Sequence, residues 1–231
     1  MWAHAGQSFI CKVSHINYIE NYDAAVFTVR APEEAPAFPG AMSLDLKMPE
    51  VGSNIGVLAH KLDSEPSSDS EVILKRGFLF LLGTVSEGAT IDRKKQQFSF
   101  ETTVPILPGL SGAPIVSAPL PGQPISACGV VSSDFSPAEA FKDFAIEGSS
   151  HGAALWPSAG LGFEMKIEGK LQSPALIGDL LKGGYLITRS KDVNVTINPQ
   201  GQRMQIIYTD TSNNDAPGIV LETTGHPLHL K

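Results

Sequence analysis

Short apolar runs punctuated by Gly, Pro and Ser fill the first 135 residues. Phe9 to Ile19 reads as a strand, and Ala24-Ala25-Val26-Phe27-Thr28-Val29 as another, ended by the Pro-rich stretch from Ala31 to Gly40. Ile55-Gly56-Val57-Leu58-Ala59 is a third. Leu62 to Ser70 is acidic and Ser-rich, a loop by composition. Val72-Ile73-Leu74 and Phe78-Leu79-Phe80-Leu81-Leu82 come next. Thr84 to Ile91 and Gln97 to Thr103 then flank a charged tip at Asp92 to Lys95. Ile115-Val116 and Cys128 to Ser132 close the series across Pro119-Leu120-Pro121-Gly122. Many short strands at this spacing predict an all-β barrel or sandwich.

The pattern changes after about residue 135. Pro137 to Phe144 has helical composition. Ser173 to Leu181 reads as a short helix with Ser173 as N-cap and Pro174 at the first helical position, ended by Gly183-Gly184. Val193 to Ile197 and Arg203 to Tyr208 alternate with period two around Asn198-Pro199-Gln200-Gly201, a hairpin signal. No internal repeat is visible.

Composition narrows the function. The 231 residues are 42% hydrophobic and 18% charged, enough for a sizeable core, with 17 Pro and 22 Gly supplying turns. A net charge of −7 argues against general affinity for nucleic acid or an anionic membrane. Arg93-Lys94-Lys95 reads as a solvated turn. No run of 18 apolar residues predicts a membrane helix, and the N-terminus lacks the basic and apolar regions of a signal peptide. Cys11 and Cys128 read as buried free thiols rather than a disulfide framework, which points to a reducing, cytoplasmic setting.

The segment with most chemistry is Pro108-Gly109-Leu110-Ser111-Gly112-Ala113-Pro114-Ile115-Val116. Acyl transfer needs a serine hydroxyl standing at a tight turn, with backbone N–H groups aimed where the oxyanion forms. Gly109 and Gly112 permit a sharp bend. Pro114 leads into an apolar strand that anchors the turn. No helix follows, so the strand-to-helix nucleophile elbow does not fit.

This stretch resembles the G-x-S-G-x-P nucleophile loop of chymotrypsin-like serine proteases. The likeness continues in Gly129-Val130-Val131-Ser132-Ser133-Asp134, which looks like the strand lining the substrate pocket in that family. It continues also in Tyr22-Asp23-Ala24-Ala25-Val26-Phe27-Thr28-Val29, which looks like the strand entered from the family's aspartate, and in Pro49-Glu50-Val51-Gly52-Ser53-Asn54-Ile55-Gly56-Val57. The resemblance spans roughly residues 9 to 135. It implies catalysis by Ser111 and Asp23, an oxyanion hole from the N–H groups of Gly109 and Ser111, and substrate binding by Ser132, Ser133 and Asp134. It implies a peptide or protein substrate and no metal or organic cofactor. Pro105 falls at the pocket-floor position and is not acidic, so a trypsin-like demand for Lys or Arg is not supported.

The histidine departs from the family pattern. The base should precede Asp23, after several strands, and only His4 and His15 do so. His15 lies within a strand run. His4 follows an alanine, as the family's histidine does, but three residues cannot supply the strands before it. The expectation is that the histidine lies upstream of Met1, or that His4 serves. His60 and His151 follow Asp23, with His151 in a Ser/Gly loop. His226 and His229 lack a completing metal ligand.

The expected fold is therefore all-β, a chymotrypsin-like double antiparallel β-barrel whose first barrel is incomplete, with a small α+β C-terminal extension. Its expected parts are a first-barrel remnant over 1–60, a second barrel with the nucleophile loop over 61–165, and an extension of helix plus hairpin over 166–231. The expected function is serine-type endopeptidase. The other readings are an inactive protease-like module that binds peptides or regulates, and a β-rich structural protein in which Gly-Leu-Ser-Gly is a plain turn.

Overall fold

The computed structural model describes residues 2–4, 7–9, 11–19, 22–36, 42–66, 72–92, 97–105, 109–118, 122, 125–132, 150–163, 166–167, 170–171, 175–184, 188–200, 203–212 and 218–224. They form two units, Met1–Ser43 with Trp156–Lys231 and Leu44–Leu155.

In the first unit, β1 (Trp2–His4) and β2 (Gln7–Phe9) make a short hairpin. β3 (Lys12–Tyr18) and β4 (Ala25–Arg30) make a second; β3 is the strand expected within Phe9 to Ile19, while Phe9 itself ends β2. An irregularity between Val13 and His15 shifts the register. Val13–Val29, Ile16–Phe27 and Tyr18–Ala25 are thereby directly paired, and directly opposed residues share a face. That face is apolar and open: Val13, Ile16, Tyr18, Phe27 and Val29 are all exposed, Tyr18 at 74%. Asn17, of the opposite parity to Ile16 and Tyr18, is buried and donates its side-chain amide to the Gly162 carbonyl. Cys11 is half-buried rather than buried.

The second unit carries β5 (Ser43–Leu44), β6 (Asn54–Pro66), β7 (Val72–Asp92), β8 (Gln97–Thr102), β9 (Pro114–Ser117), β10 (Ser126–Ser132) and β11 (Ser150–Ala154). The order is β11-β8-β7-β6-β9-β10, and β10 pairs back onto β11, closing a six-stranded antiparallel barrel. The short β5 adds beside β10. Closure removes the unpaired edges that an open sheet would expose. The described residues are all-β apart from short helical turns, as the pattern of strands predicts.

Ile55, Val57, Phe100, Ile115 and Val131 are buried in the barrel. Phe100 and Ile115 occupy room that two glycines leave. A Cβ on Gly129 would come within 2.7 Å of the Phe100 ring, and one on Gly152 within 2.5 Å of Ile115 Cδ1. Cys128 is a buried thiol, with Sγ 3.5 Å from the Ile115 carbonyl oxygen.

The β6–β7 ladder runs unbroken from Asn54–Thr84 to Pro66–Val72. Leu62 to Pro66 are thus strand, not the start of the loop that their polar composition suggests: cross-strand pairing with Val72 to Arg76 overrides weak local propensity. The ladder runs through residues 60 and 61, and the second unit spans Leu44–Leu155.

The remainder of the first unit begins with a 3₁₀ turn, Trp156–Gly160. β12 (Gly162–Phe163) pairs with β15 (Ala175–Leu176), and β13 (Lys166–Ile167) with β14 (Lys170–Leu171). The helix α1 (Ile177–Lys182) starts later than expected, with Leu176 rather than Ser173 at its N-cap. Ala175 and Leu176 are taken up in pairing with β12, and the Ile177 N–H donates to the Leu161 carbonyl. Gly183 and Gly184 end it, donating to the Asp179 and Leu181 carbonyls. β16 (Val193–Gln200), β17 (Arg203–Asp210) and β18 (Ile219–Thr224) form a three-stranded sheet. Its first hairpin stays paired out to Gln200–Arg203, beyond the turn expected at Asn198. Trp156 is fully buried, its ring 5.4 Å from that of Tyr208. The helix expected at Pro137 to Phe144, the tip Arg93-Lys94-Lys95 and the pair His226 and His229 lie outside the described residues. Among the described residues no helix is long and apolar enough to cross a membrane.

Candidate active site

The turn that carries Ser111 lies between β8 and β9, the third and fourth strands of the closed barrel in chain order. Three hydrogen bonds shape it. The Ala113 N–H donates to the Leu110 carbonyl at 2.9 Å, closing a four-residue turn over Ser111 and Gly112. Gly112 has φ +84°, the positive value that a type II turn requires at its third residue, and Gly109 has φ +89°. The Gly112 N–H donates to the Val131 carbonyl at 2.9 Å, and the Val131 N–H donates to the Ala113 carbonyl at 2.8 Å. Two residues of the turn thus oppose one residue of β10, a bulged extension of the β9–β10 ladder.

Burial sorts the turn's side chains. Leu110 is 3% exposed, and Ile115 and Val116 behind it are buried. Gly109, Ser111 and Gly112 are exposed. An apolar anchor before the serine and an apolar strand after it leave Ser111 exposed on the outside of the barrel. The candidate oxyanion donors, the N–H groups of Gly109 and Ser111, flank the buried Leu110.

Ser132 ends β10, one residue past the Val131 that holds the turn, and is buried. The structure therefore brings Gly109, Ser111 and Ser132 to one end of the barrel. Ser133 and Asp134 lie outside the described residues. Asp23 lies in the other unit, exposed at the bend between β3 and β4. Its neighbour Tyr22 is buried, and burial first, then the Asp23 charge, pushes the Tyr22 hydroxyl well above its ordinary pKa. His4 ends β1 and His15 lies in β3, and no side-chain placement is described for either.

His151 is not in a loop. It belongs to β11, where the small residues Ser150, Gly152, Ala153 and Ala154 allow close packing in the barrel. It is directly opposite Ser132 on one side and Glu101 of β8 on the other. Its Nε2 is 3.6 Å from Glu101 Oε1. Composition hid this strand, because Ser and Gly are loop formers. Among the described residues no group of three or more His, Cys, Asp or Glu side chains could hold a metal ion.

The barrel that carries this exposed serine is closed, six-stranded and antiparallel, the kind of barrel the sequence predicts. No family model matches the chain, and no curated protein matches it. Among solved structures, it is similar to an HtrA-type protease, AlgW with decapeptide, at 14% sequence identity and a TM-score of 0.45, over 95% of this chain and 72% of that one.

Proposed function

We propose that the chain acts as a serine-type endopeptidase through an acyl-enzyme on Ser111. The observation that carries this reading is the Leu110–Ala113 turn: an exposed serine between two positive-φ glycines, fastened to β10. The Ser111 hydroxyl oxygen attacks a peptide carbonyl carbon while a histidine takes the hydroxyl proton. The Gly109 and Ser111 N–H groups hold the resulting oxyanion. The histidine then gives its proton to the leaving amine, and water releases the acyl group by the reverse sequence. Asp23 orients the histidine, for which His4 is the candidate. β3 and β4 are read as strands of a further, incomplete barrel, since their paired apolar face is open. Ser132, Ser133 and Asp134 contact the peptide, and no metal or organic cofactor takes part.

Peptide hydrolysis by wild-type and Ser111→Ala chains tests this reading. Losing a triad member costs roughly 10⁴ to 10⁶ in kcat, so the variant should be inactive. Equal hydrolysis by both would remove Ser111. A chain that binds peptides tightly but never acylates would instead be a protease-like binding module.

A further inference from the structure

One face of the β3–β4 hairpin is already covered. Asn17 is buried on it and donates to the Gly162 carbonyl. The other face carries three directly opposed pairs, Val13–Val29, Ile16–Phe27 and Tyr18–Ala25. Directly opposed residues point the same way. All six are exposed, Ile16 at 56% and Phe27 at 58%, and none is charged.

Scaled by these exposures, the face leaves roughly 500 Å² of mostly apolar surface open to water, at the upper end of what a single soluble chain shows. Two such faces pressed together bury about 1,000 Å² before any flanking residue is counted, which reaches the range of specific interfaces and exceeds most adventitious contacts.

The face also fits itself. A two-fold axis between two copies, running along the strands, sets β3 of each copy over β4 of the other. Tyr18 then lies over Ala25 of the second copy, large over small, with Ile16 over Phe27 and Val13 over Val29. The hairpins stack as aligned sheets about 10 Å apart. A contact of this kind uses the same patch on both copies and closes at two.

We infer that the open face of β3–β4 is an interface with a second copy of this chain, and that the two stacked hairpins share one apolar core. A foreign partner would have to bring an equally long uncharged surface, and the chain itself carries one. The second copy supplies the layer of side chains that β3 and β4 lack when they are read as part of an incomplete barrel. The inference does not depend on Ser111.

Sedimentation equilibrium of the full chain from about 0.1 to 100 μM tests this. The expected result is twice the chain mass in the upper part of that range, falling to the single chain on dilution. Ile16→Lys and Phe27→Lys put a charge at the centre of the stacked faces. Both side chains are exposed in the single chain, so both variants should keep its far-UV circular dichroism. Each should raise the concentration needed for association by roughly a hundredfold or more. Hydrogen exchange on the wild type gives a second reading that needs no variant. Amides of residues 12–18 and 25–30 should exchange faster than those of β9 and β10 in the dilute single chain. They should slow by roughly tenfold or more as the dimer fills, while β9 and β10 stay unchanged. A chain that remains single throughout leaves this face to a different partner and overturns the inference. So does a dimer that both substitutions leave intact, or hairpin protection that is indifferent to concentration. None of these outcomes bears on Ser111, whose labelling is read separately.

Discussion

The Gly112 N–H donates to the Val131 carbonyl at 2.9 Å, and this bond places the serine turn against the strand that ends in Ser132. The nucleophile candidate and the strand that resembles a pocket wall are one hydrogen-bonded piece.

Gly112 holds φ +84°, so Gly112→Val should strain the turn, at a cost of about 1–2 kcal/mol for an L residue forced into left-handed backbone. No heavy atom lies within 4 Å of a Cβ there, so the strain is conformational rather than steric. The melting temperature should fall by a few degrees, and Ser111 labelling by a fluorophosphonate should drop sharply. A variant that labels at the wild-type rate would mean that the turn does not need this geometry.

Overpacking should be felt at Gly152. A Cβ there would lie 2.5 Å from Ile115 Cδ1 and 2.6 Å from the Phe100 ring, both in a closed barrel. Gly152→Ala is expected to destabilise by about 1–3 kcal/mol. Urea unfolding measures it, and an unchanged midpoint would refute the packing described.

Thr102 Oγ1 and Ser150 Oγ lie 2.6 Å apart, both buried, and the Val104 N–H also bonds to Thr102 Oγ1. Thr102→Val strands the Ser150 hydroxyl and should cost about 1–3 kcal/mol. Adding Ser150→Ala should recover part of it, because the stranded partner is gone. Strictly additive losses in this double-mutant cycle would show that the two hydroxyls do not interact.

Tyr22 predicts an alkaline limit. Its folded-state pKa lies above the ordinary value of 10.0, by burial first and the Asp23 charge second. A raised folded pKa means that the contribution is complete below the unfolded value and is lost as pH climbs above about 10. Thermal melts across that range should show wild type losing more stability than Tyr22→Phe. Parallel curves would mean that Tyr22 is not buried.

Much of the barrel is legible in the sequence because its strands are short, apolar and bounded by Gly and Pro. The turn at Gly109 to Pro114 is legible because positive φ demands glycine and the residues around it follow a known order. Three features were hidden. Asp63 to Glu65 are polar and owe their strand to the pairing partner across the ladder. Ala175 and Leu176 sit in a sequence that favours helix, yet pairing with Gly162–Phe163 claims them first. His151 is surrounded by loop-forming residues, and its place between Ser132 and Glu101 depends on a closure between β10 and β11 that no local pattern encodes.

The open face of β3–β4 is expected to weaken its local protection. Val13, Ile16, Tyr18, Phe27 and Val29 contribute little burial there, and among the described residues the two strands pair only with each other. Hydrogen exchange should be faster for amides of residues 12–18 and 25–30 than for those of β9 and β10. Equal, strong protection would mean that the hairpin is covered on that face.

The central claim is that Ser111 is an activated nucleophile, and site-resolved labelling tests it most directly. The folded chain is treated with a fluorophosphonate, with and without free imidazole to supply a base, and the modified residue is located by mass spectrometry. Modification at Ser111, faster than in the urea-unfolded chain, raised by imidazole and absent from Ser111→Ala, is the predicted result. A Ser111 rate no greater folded than unfolded, or modification at a different residue, would contradict it.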